Sequence, residues 1–216
     1  MLKRARQAKS YHHGDLRSAL VREGRRILAD SGADGLSLRE VARRCRVSEA
    51  APYNHFADKQ ALLAAIATEG FQVLARHLRR TAERRSGRAR ILAIGQAYLS
   101  FALDHPALFS AMFGRSLEDP RRHPELARAA NEVFALAASA IVEVVGGTHA
   151  GAHGSALGLW AMCHGAAVLL LDGKLEPGKS RRATGHALLP RIVGSYVDGL
   201  VFSAAGSGGK RPQVKP

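Results

Sequence analysis

Residues 37–59 combine basic, hydroxyl and small side chains at a spacing that is suited to contacts with DNA. Apolar residues recur at helical spacing in the first part of this stretch and can pack inward: Leu38, Val41, Ala42 and Cys45. The other faces of the same predicted helix carry Arg39, Arg43, Arg44 and Arg46. Guanidinium groups pair with phosphate oxygens and with the edge of guanine. This helix therefore has one side for packing and another for nucleic acid.

A second, shorter helix is predicted directly after the first. Val47 fills the turn, and Ser48 is placed to cap the next helix because its hydroxyl can accept an otherwise unpaired backbone N–H. Small residues lead this helix, so its N-terminal end can approach base edges in the major groove. Pro52, close to the helix start, removes one N–H and leaves the path of the helix open. The whole pattern predicts a helix-turn-helix.

The charge of the chain favours an anionic partner. The formal net charge is +14. Residues 1–90 contain 20 Lys and Arg residues against nine Asp and Glu, whereas the remaining 126 residues contain 12 and nine. The positive charge is thus concentrated where the helix-turn-helix is predicted, which favours DNA over a merely solvated basic surface.

Catalytic and metal-binding patterns are weak. Cys163 and His164 are neighbours in the sequence, so on a helix they point in different directions and cannot form a nucleophile–base pair. His149 and His153 are four residues apart, but they lie in a glycine-containing stretch without further ligands at metal-binding spacing. We expect no catalytic residue, no metal site and no cofactor.

Helical periodicity runs through almost the whole chain, and no segment shows clear strand alternation. We therefore predict an all-α fold of about nine helices. Its parts are a basic N-terminal arm (1–14), a three-helix DNA-binding domain (15–60), a helical regulatory and dimerisation domain (61–203) and a disordered tail (204–216). The longest apolar run, residues 157–171, is too short to span a bilayer, which takes about 20 residues. We expect a cytoplasmic protein without a membrane span.

The order of these parts resembles the TetR (tetracycline-repressor-like) family. The residues that carry the resemblance are 35–42 (GLSLREVA), Val47-Ser48 and 53–63 (YNHFADKQALL), and it covers residues 11–65 well. A second resemblance, of residues 160–165 (WAMCHG) and 98–109 (YLSFALDHPALF), is to the WHG-type regulatory domain of the same family.

The resemblance implies roles for individual residues at the DNA. Ser37, Tyr53, His55 and Lys59 would hold phosphates, Lys59 together with the N–H groups at the start of the connecting helix. Arg39 would reach a base or a phosphate. The recognition helix would be led by Ser48, Glu49, Ala50 and Ala51, where alanines suit a thymine methyl group and Glu49 suits the N4 amine of cytosine.

The second half of the chain offers a ligand site and a dimer interface. Apolar residues with a few polar atoms among them form the candidate pocket: Tyr98, Phe109, Met112, Phe113, Phe134, Trp160 and His164. An ordinary core is the alternative explanation for this set. The last two long helices carry more apolar surface than one buried stripe needs, which favours a homodimer that packs four helices together.

We therefore expect a sequence-specific DNA-binding transcriptional regulator. In this hypothesis it is a repressor that a small, largely apolar ligand releases from a palindromic double-stranded DNA operator. The sequence leaves two alternatives open: a DNA-binding repressor without a small-molecule ligand, and a metal or redox sensor that carries a helix-turn-helix.

Overall fold

The computed structural model describes residues 13–114, 117, 119, 122–175 and 180–207. These residues contain eight α-helices and a short 3₁₀ helix and no strand, which confirms the predicted all-α class. The elements are α1 (His13–Ser31), α2 (Leu38–Cys45), the 3₁₀ helix (Ala51–Asn54), α3 (Lys59–Ala82), α4 (Gly87–Asp104), α5 (Pro106–Phe113), α6 (Pro124–Val145), α7 (His153–Leu171) and α8 (Arg181–Ser207).

Local signals set the ends of the N-terminal helices. Gly32, with φ of +67°, ends α1, and its N–H donates to the carbonyl of Leu28. The Ser37 hydroxyl accepts the N–H of Glu40 at 3.1 Å and caps α2, as the sequence predicts. Asp58 caps α3 in the same manner, through an N–H donated by Ala61 at 2.8 Å.

A left-handed residue makes the turn after α2. Arg46 has φ of 57°, and it is the one non-glycine residue with positive φ among the described residues. Its N–H donates to the carbonyl of Arg43, and the N–H of Val47 donates to that of Ala42 at 3.1 Å. These bonds satisfy carbonyls that the helix end leaves free, so the chain reverses within two residues.

Helix α3 connects the two halves of the molecule. It packs against α1 at its N-terminal part and against α4, α5 and α6 farther on. Its inward residues Leu62, Leu63, Ile66 and Leu74 are completely buried. Because one core runs along α3 from the helix-turn-helix into the helical bundle, a shift of this helix moves both parts.

The C-terminal helices form the rest of the bundle around α4, which contacts α5, α6, α7 and α8 as well as α3. In α8, Leu189, Val193 and Val197 are almost fully buried within the chain itself. These three residues therefore belong to the intramolecular core and are not part of the surplus apolar surface that the sequence suggests for a dimer. The predicted tail begins at residue 204, but α8 continues to Ser207. Residues 1–12 of the predicted arm (1–14) and residues 208–216 lie outside the described residues, and α1 begins at His13.

Two helices are long and apolar enough to cross a membrane by length and composition alone, His153–Leu171 and Arg181–Ala204. The core helices of soluble proteins meet the same criterion. Here α7 buries Ala156, Leu159 and Leu170 against the bundle, as a core helix does.

Candidate DNA interface and ligand cavity

The predicted recognition helix is a single 3₁₀ turn. Ala50 is its N-cap and no side chain caps it, so the predicted capping by the Ser48 hydroxyl is wrong; instead the Ser48 carbonyl accepts the N–H of Ala51 at 3.0 Å. Pro52 explains the short turn, because its ring is buried while its carbonyl accepts the N–H groups of His55 and Phe56, both at 2.9 Å. The proline thus anchors the turn in the core and fixes its position.

The residues around this turn are open to solvent, as a DNA-binding surface requires. Ser37, Arg39, Ser48, Glu49, Ala50 and Tyr53 are exposed, and Ala51, His55 and Lys59 are partly exposed. Tyr53 is 54% exposed, whereas Phe56 is buried beneath the guanidinium of Arg17, 5.3 Å from its ring centroid. The Ser37 hydroxyl accepts the N–H of Glu40 and keeps its own proton to donate, for example to a phosphate.

Arginines next to the turn fall into two groups. Arg43 donates two hydrogen bonds to Glu40, at 2.8 and 2.7 Å, and Arg44 donates to Glu40 and to Asp30. These bonds, with that from Arg43 foremost, lower the pKa of Glu40 from 4.5 to about 2. Arg43 and Arg44 are therefore occupied within the domain.

The remaining cations near the turn are available for DNA. Arg39 makes one long contact, from its Nε to Oε2 of Glu49 at 3.6 Å. Among the described residues, no carboxylate lies within ion-pair distance of Arg46 or Lys59. Lys59 is the first residue of α3, directly after its Asp58 cap.

A cavity of about 300 Å³ lies in the bundle between α3, α4, α5, α6 and α7. Of the predicted ligand-binding residues, Tyr98, Phe113, Phe134 and Trp160 line it. The other three, Phe109, Met112 and His164, lie behind this wall. The His164 ring is 4.8 Å from that of Phe113 and 5.3 Å from that of Phe109, and Met112 packs at Gly70 of α3.

Tyr98 and His164 form a hydrogen-bonded pair at one side of the cavity. The Tyr98 hydroxyl lies 2.9 Å from Nδ1 of His164, and the Trp160 indole lies close to the same hydroxyl. Burial lowers the pKa of His164 and raises that of Tyr98, so both are uncharged near neutral pH. The hydroxyl donates to Nδ1 when the His164 proton is on Nε2, and it accepts from Nδ1 when the proton is there.

Sequence reasoning missed several residues of the cavity wall, among them Phe71, Asn131, His153 and Cys163. Phe71 falls on the buried stripe of α3, and the helical period cannot distinguish an inward residue that packs from one that faces a void. Burial raises the pKa of the Cys163 thiol to about 12, which keeps it protonated and favours its interpretation as a small apolar residue. The described residues include no group of three or more His, Cys, Asp or Glu that could hold a metal ion.

Comparisons with known proteins agree with this geometry. The family profile described as bacterial regulatory proteins, tetR family, matches residues 20–66, and that of the tetracyclin repressor-like C-terminal domain matches residues 91–192. The chain belongs to the TetR family. A solved structure of a protein of unknown function from Rhodococcus sp. RHA1 is 35% identical, with a TM-score of 0.75, and covers 89% of this chain and 99% of its own.

More distant relatives carry the same organisation. The HTH-type transcriptional regulator YobS of Bacillus subtilis is 24% identical over 150 residues, which is 69% of this chain and 76% of YobS. The fold is shared with AibR, whose structure is known in complex with isovaleryl coenzyme A and operator DNA. AibR is 14% identical, with a TM-score of 0.60, over 82% of this chain and 97% of AibR. The present protein is a helix-turn-helix transcriptional regulator of the TetR family.

Proposed function

We propose that this TetR-family protein is a homodimeric repressor that leaves a palindromic operator when a small, largely apolar ligand fills the bundle cavity. The observation that carries the proposal is the position of α3. Its first residue, Lys59, lies at the DNA-binding surface, and Phe71, about 18 Å farther along the helix, lines the cavity. A ligand that moves α3 therefore acts on both sites.

The DNA part of the proposal rests on the exposed residues around the 3₁₀ turn. Ser37, Tyr53, His55 and Lys59 supply hydroxyl, imidazole and ammonium donors, which are the groups that hold phosphates without reading sequence. Arg39, Glu49 and the alanines at 50 and 51 are the candidates for contacts with bases. Because the 3₁₀ turn is only four residues long, it presents few side chains to the groove, and Arg39 on α2 becomes the main candidate for base contact.

The dimer rests on an apolar stripe of α7 that the described residues leave exposed. Leu157, Ala161, Gly165 and Val168 recur at helical spacing; the three side chains are exposed, and a Cβ at Gly165 would meet no atom within 4 Å. Val201 and Phe202 of α8 are further exposed apolar residues, and Phe202 is 82% exposed. Small residues on such a stripe allow a helix of a second copy to approach closely.

A substitution at the stripe tests the dimer without disturbing the subunit. Gly165→Leu adds a side chain where the subunit has open space, so the fold should be retained while the close approach of two copies is blocked. We expect a dimer for the natural protein and a monomer for Gly165→Leu in analytical ultracentrifugation. Ala135→Leu, at an exposed position of α6, is the matched control.

The ligand response is tested on an operator fragment. Selection from random duplexes should enrich a palindrome with half-sites about 34 Å apart, as two symmetric recognition elements require. Compounds are then screened for release of this fragment from the protein. Trp160→Leu should remove the response and leave operator affinity intact. A repressor without a ligand, the alternative, predicts operator binding that no compound in the screen changes.

A further inference from the structure

We infer that the cavity selects an uncharged ligand, with an apolar body and a single polar group, and rejects carboxylates of the same size. The inference rests on the proposed function, because it names the chemical class of the ligand for the same cavity. It is carried by the chemistry of the wall, which combines several aromatic rings with the absence of Lys and Arg from the described lining residues.

The aromatic side chains of the wall make the cavity apolar. Phe71 meets Phe113 edge to face at 5.1 Å between centroids, and the Trp160 ring lies 6.3 Å from that of Phe113. Tyr98 and Phe134 complete the aromatic part of the wall. Contact with these rings stabilises an aromatic or aliphatic body by burial of apolar surface, which is worth roughly 25 cal/mol per Å².

The wall has few polar groups, and those at its inner side are occupied. The Tyr98 hydroxyl is already hydrogen-bonded to Nδ1 of His164 and lies close to the Trp160 indole, so little of its hydrogen-bonding capacity is left for a ligand. Asn131 and His153, which are exposed, supply further polar atoms at the rim. One hydroxyl or amide of a ligand can be satisfied at either place, but the inner side cannot satisfy a carboxylate.

Among the described residues, those that line the wall include no Lys or Arg that could pair with a carboxylate. A carboxylate that enters the aromatic part of the cavity would lose its hydration without gaining an ion pair, which is the costly case for a buried charge. Burial also raises the pKa of both Tyr98 and Cys163, which shows that the same environment already disfavours anions.

Three arginines of α3 and α4 face a separate groove that shares Leu78 and Ile94 with the cavity. Arg79 pairs there with Glu132, and Arg90 pairs with Glu143 at 3.0 Å. Arg80, which is exposed, also lines this groove. The side chains of Leu78 and Ile94 thus stand between these guanidinium groups and the aromatic wall.

The chain contains one tryptophan, Trp160, and it lines the cavity, so its fluorescence reports binding without any DNA present. Two compounds on one skeleton serve as probes: 4-butylbenzyl alcohol and 4-butylbenzoate. We expect the alcohol to bind at least about tenfold more tightly than the benzoate, because only the benzoate carries a charge that loses its hydration without compensation. Ala130→Phe, which fills the cavity, should weaken binding of the alcohol, whereas Ala127→Phe, at an exposed position of α6, should not.

Two results would overturn the inference. One is that the benzoate binds as tightly as the alcohol; a loss of benzoate affinity in Arg80→Gln would then identify an amphipathic ligand that reaches the groove. The other is that the alcohol does not bind up to its solubility limit. Operator binding is measured separately on the same protein without compound, so a failure of the ligand class is distinguished from a failure of the DNA-binding function.

Discussion

Arg39 of α2 and Glu49 at the turn face each other across the helix-turn-helix, with Nε of the arginine 3.6 Å from Oε2 of the glutamate. Both side chains are more than three-quarters exposed, so their attraction is weak and is screened by salt. The Glu49 carboxylate nevertheless lies beside Arg39, the residue that we propose for base contact. The carboxylate repels phosphates that approach Arg39. It therefore favours DNA in which a base edge pairs with Arg39 and compensates for the loss of the ion pair with Glu49.

Glu49→Gln should raise affinity for DNA of any sequence and reduce discrimination. The substitution removes a negative charge that faces the phosphates and leaves Arg39 without its partner. We expect the affinity for a scrambled duplex to rise several-fold and the affinity for the operator to rise less, as measured by fluorescence anisotropy at several salt concentrations. Glu83→Gln, the same charge change at the far end of α3, is the control. An unchanged ratio of the two affinities would show that Glu49 has no part in selectivity.

Lys59→Ala should weaken binding to all sequences alike. Lys59 starts α3, where backbone N–H groups and the helix dipole already favour an anion, and it has no carboxylate partner among the described residues. Loss of one phosphate contact should reduce the slope of log affinity against log salt by about 1. Arg76→Ala, an equal change of charge about 25 Å along the same helix, should leave the slope as it is. A change of base preference in Lys59→Ala would contradict a phosphate contact.

The sequence predicts the elements around the DNA-binding surface well because local signals decide them. The caps Ser37 and Asp58 and the stop at Gly32 each act through one hydrogen bond or one backbone angle within a few residues. The recognition element is harder to predict. Its position depends on the burial of Pro52, and this tertiary feature cannot be read from the spacing of residues.

The residues that line the cavity can be predicted from the sequence only in part. Tyr98, Phe113, Phe134 and Trp160 stand out because aromatic residues with a polar atom among apolar neighbours indicate a binding site. Phe71 and Cys163 carry no such signal, because inward apolar residues of a helix look alike whether a void or another side chain lies opposite. Only the packing of five helices defines where the void is.

Acid should weaken the DNA-binding domain through Glu40. Its pKa is lowered from 4.5 to about 2 in the folded protein, chiefly by hydrogen bonds from Arg43 and then Arg44. Its contribution to the free energy of unfolding is therefore present above pH 4.5 and is lost as the pH falls toward 2. The melting temperature measured by circular dichroism should fall over this range, and less steeply in Glu40→Gln. The same fall in Glu40→Gln as in the natural protein would show that other carboxylates account for the acid sensitivity.

Tyr98→Phe should destabilise the protein although it keeps the aromatic ring. It removes the hydroxyl that is hydrogen-bonded to Nδ1 of His164, so the partly buried imidazole loses this partner. A loss of about 1–3 kcal/mol in the free energy of unfolding is expected from chemical denaturation. Phe101→Leu, a change of apolar shape on the same helix, provides a comparison without hydrogen bonds. Equal stability of Tyr98→Phe and the natural protein would mean that water replaces the hydroxyl.

The contact between Gly70 and Met112 provides a test of how the two sites communicate. A Cβ at Gly70 of α3 would lie 2.6 Å from Sδ of Met112 and 3.1 Å from Cδ1 of Leu108, so the backbone of α3 touches α5 directly. The neighbouring Phe71 and the end of α5, Phe113, both line the cavity. A ligand that separates these rings therefore changes the angle between α3 and α5, and with it the position of Lys59.

Gly70→Ala should change the angle between α3 and α5 without altering a residue of the proposed DNA surface or of the cavity wall. The added methyl displaces Met112 and moves α5 away from α3, at a cost of about 1–3 kcal/mol in stability. In the proposed repressor, ligand and operator favour different arrangements of α3, so the two affinities are expected to change in opposite directions. Operator affinity is measured by anisotropy and ligand affinity by Trp160 fluorescence, with Gly154→Ala, where a Cβ meets nothing, as control. If only one of the two affinities changes, the signal does not pass through this contact.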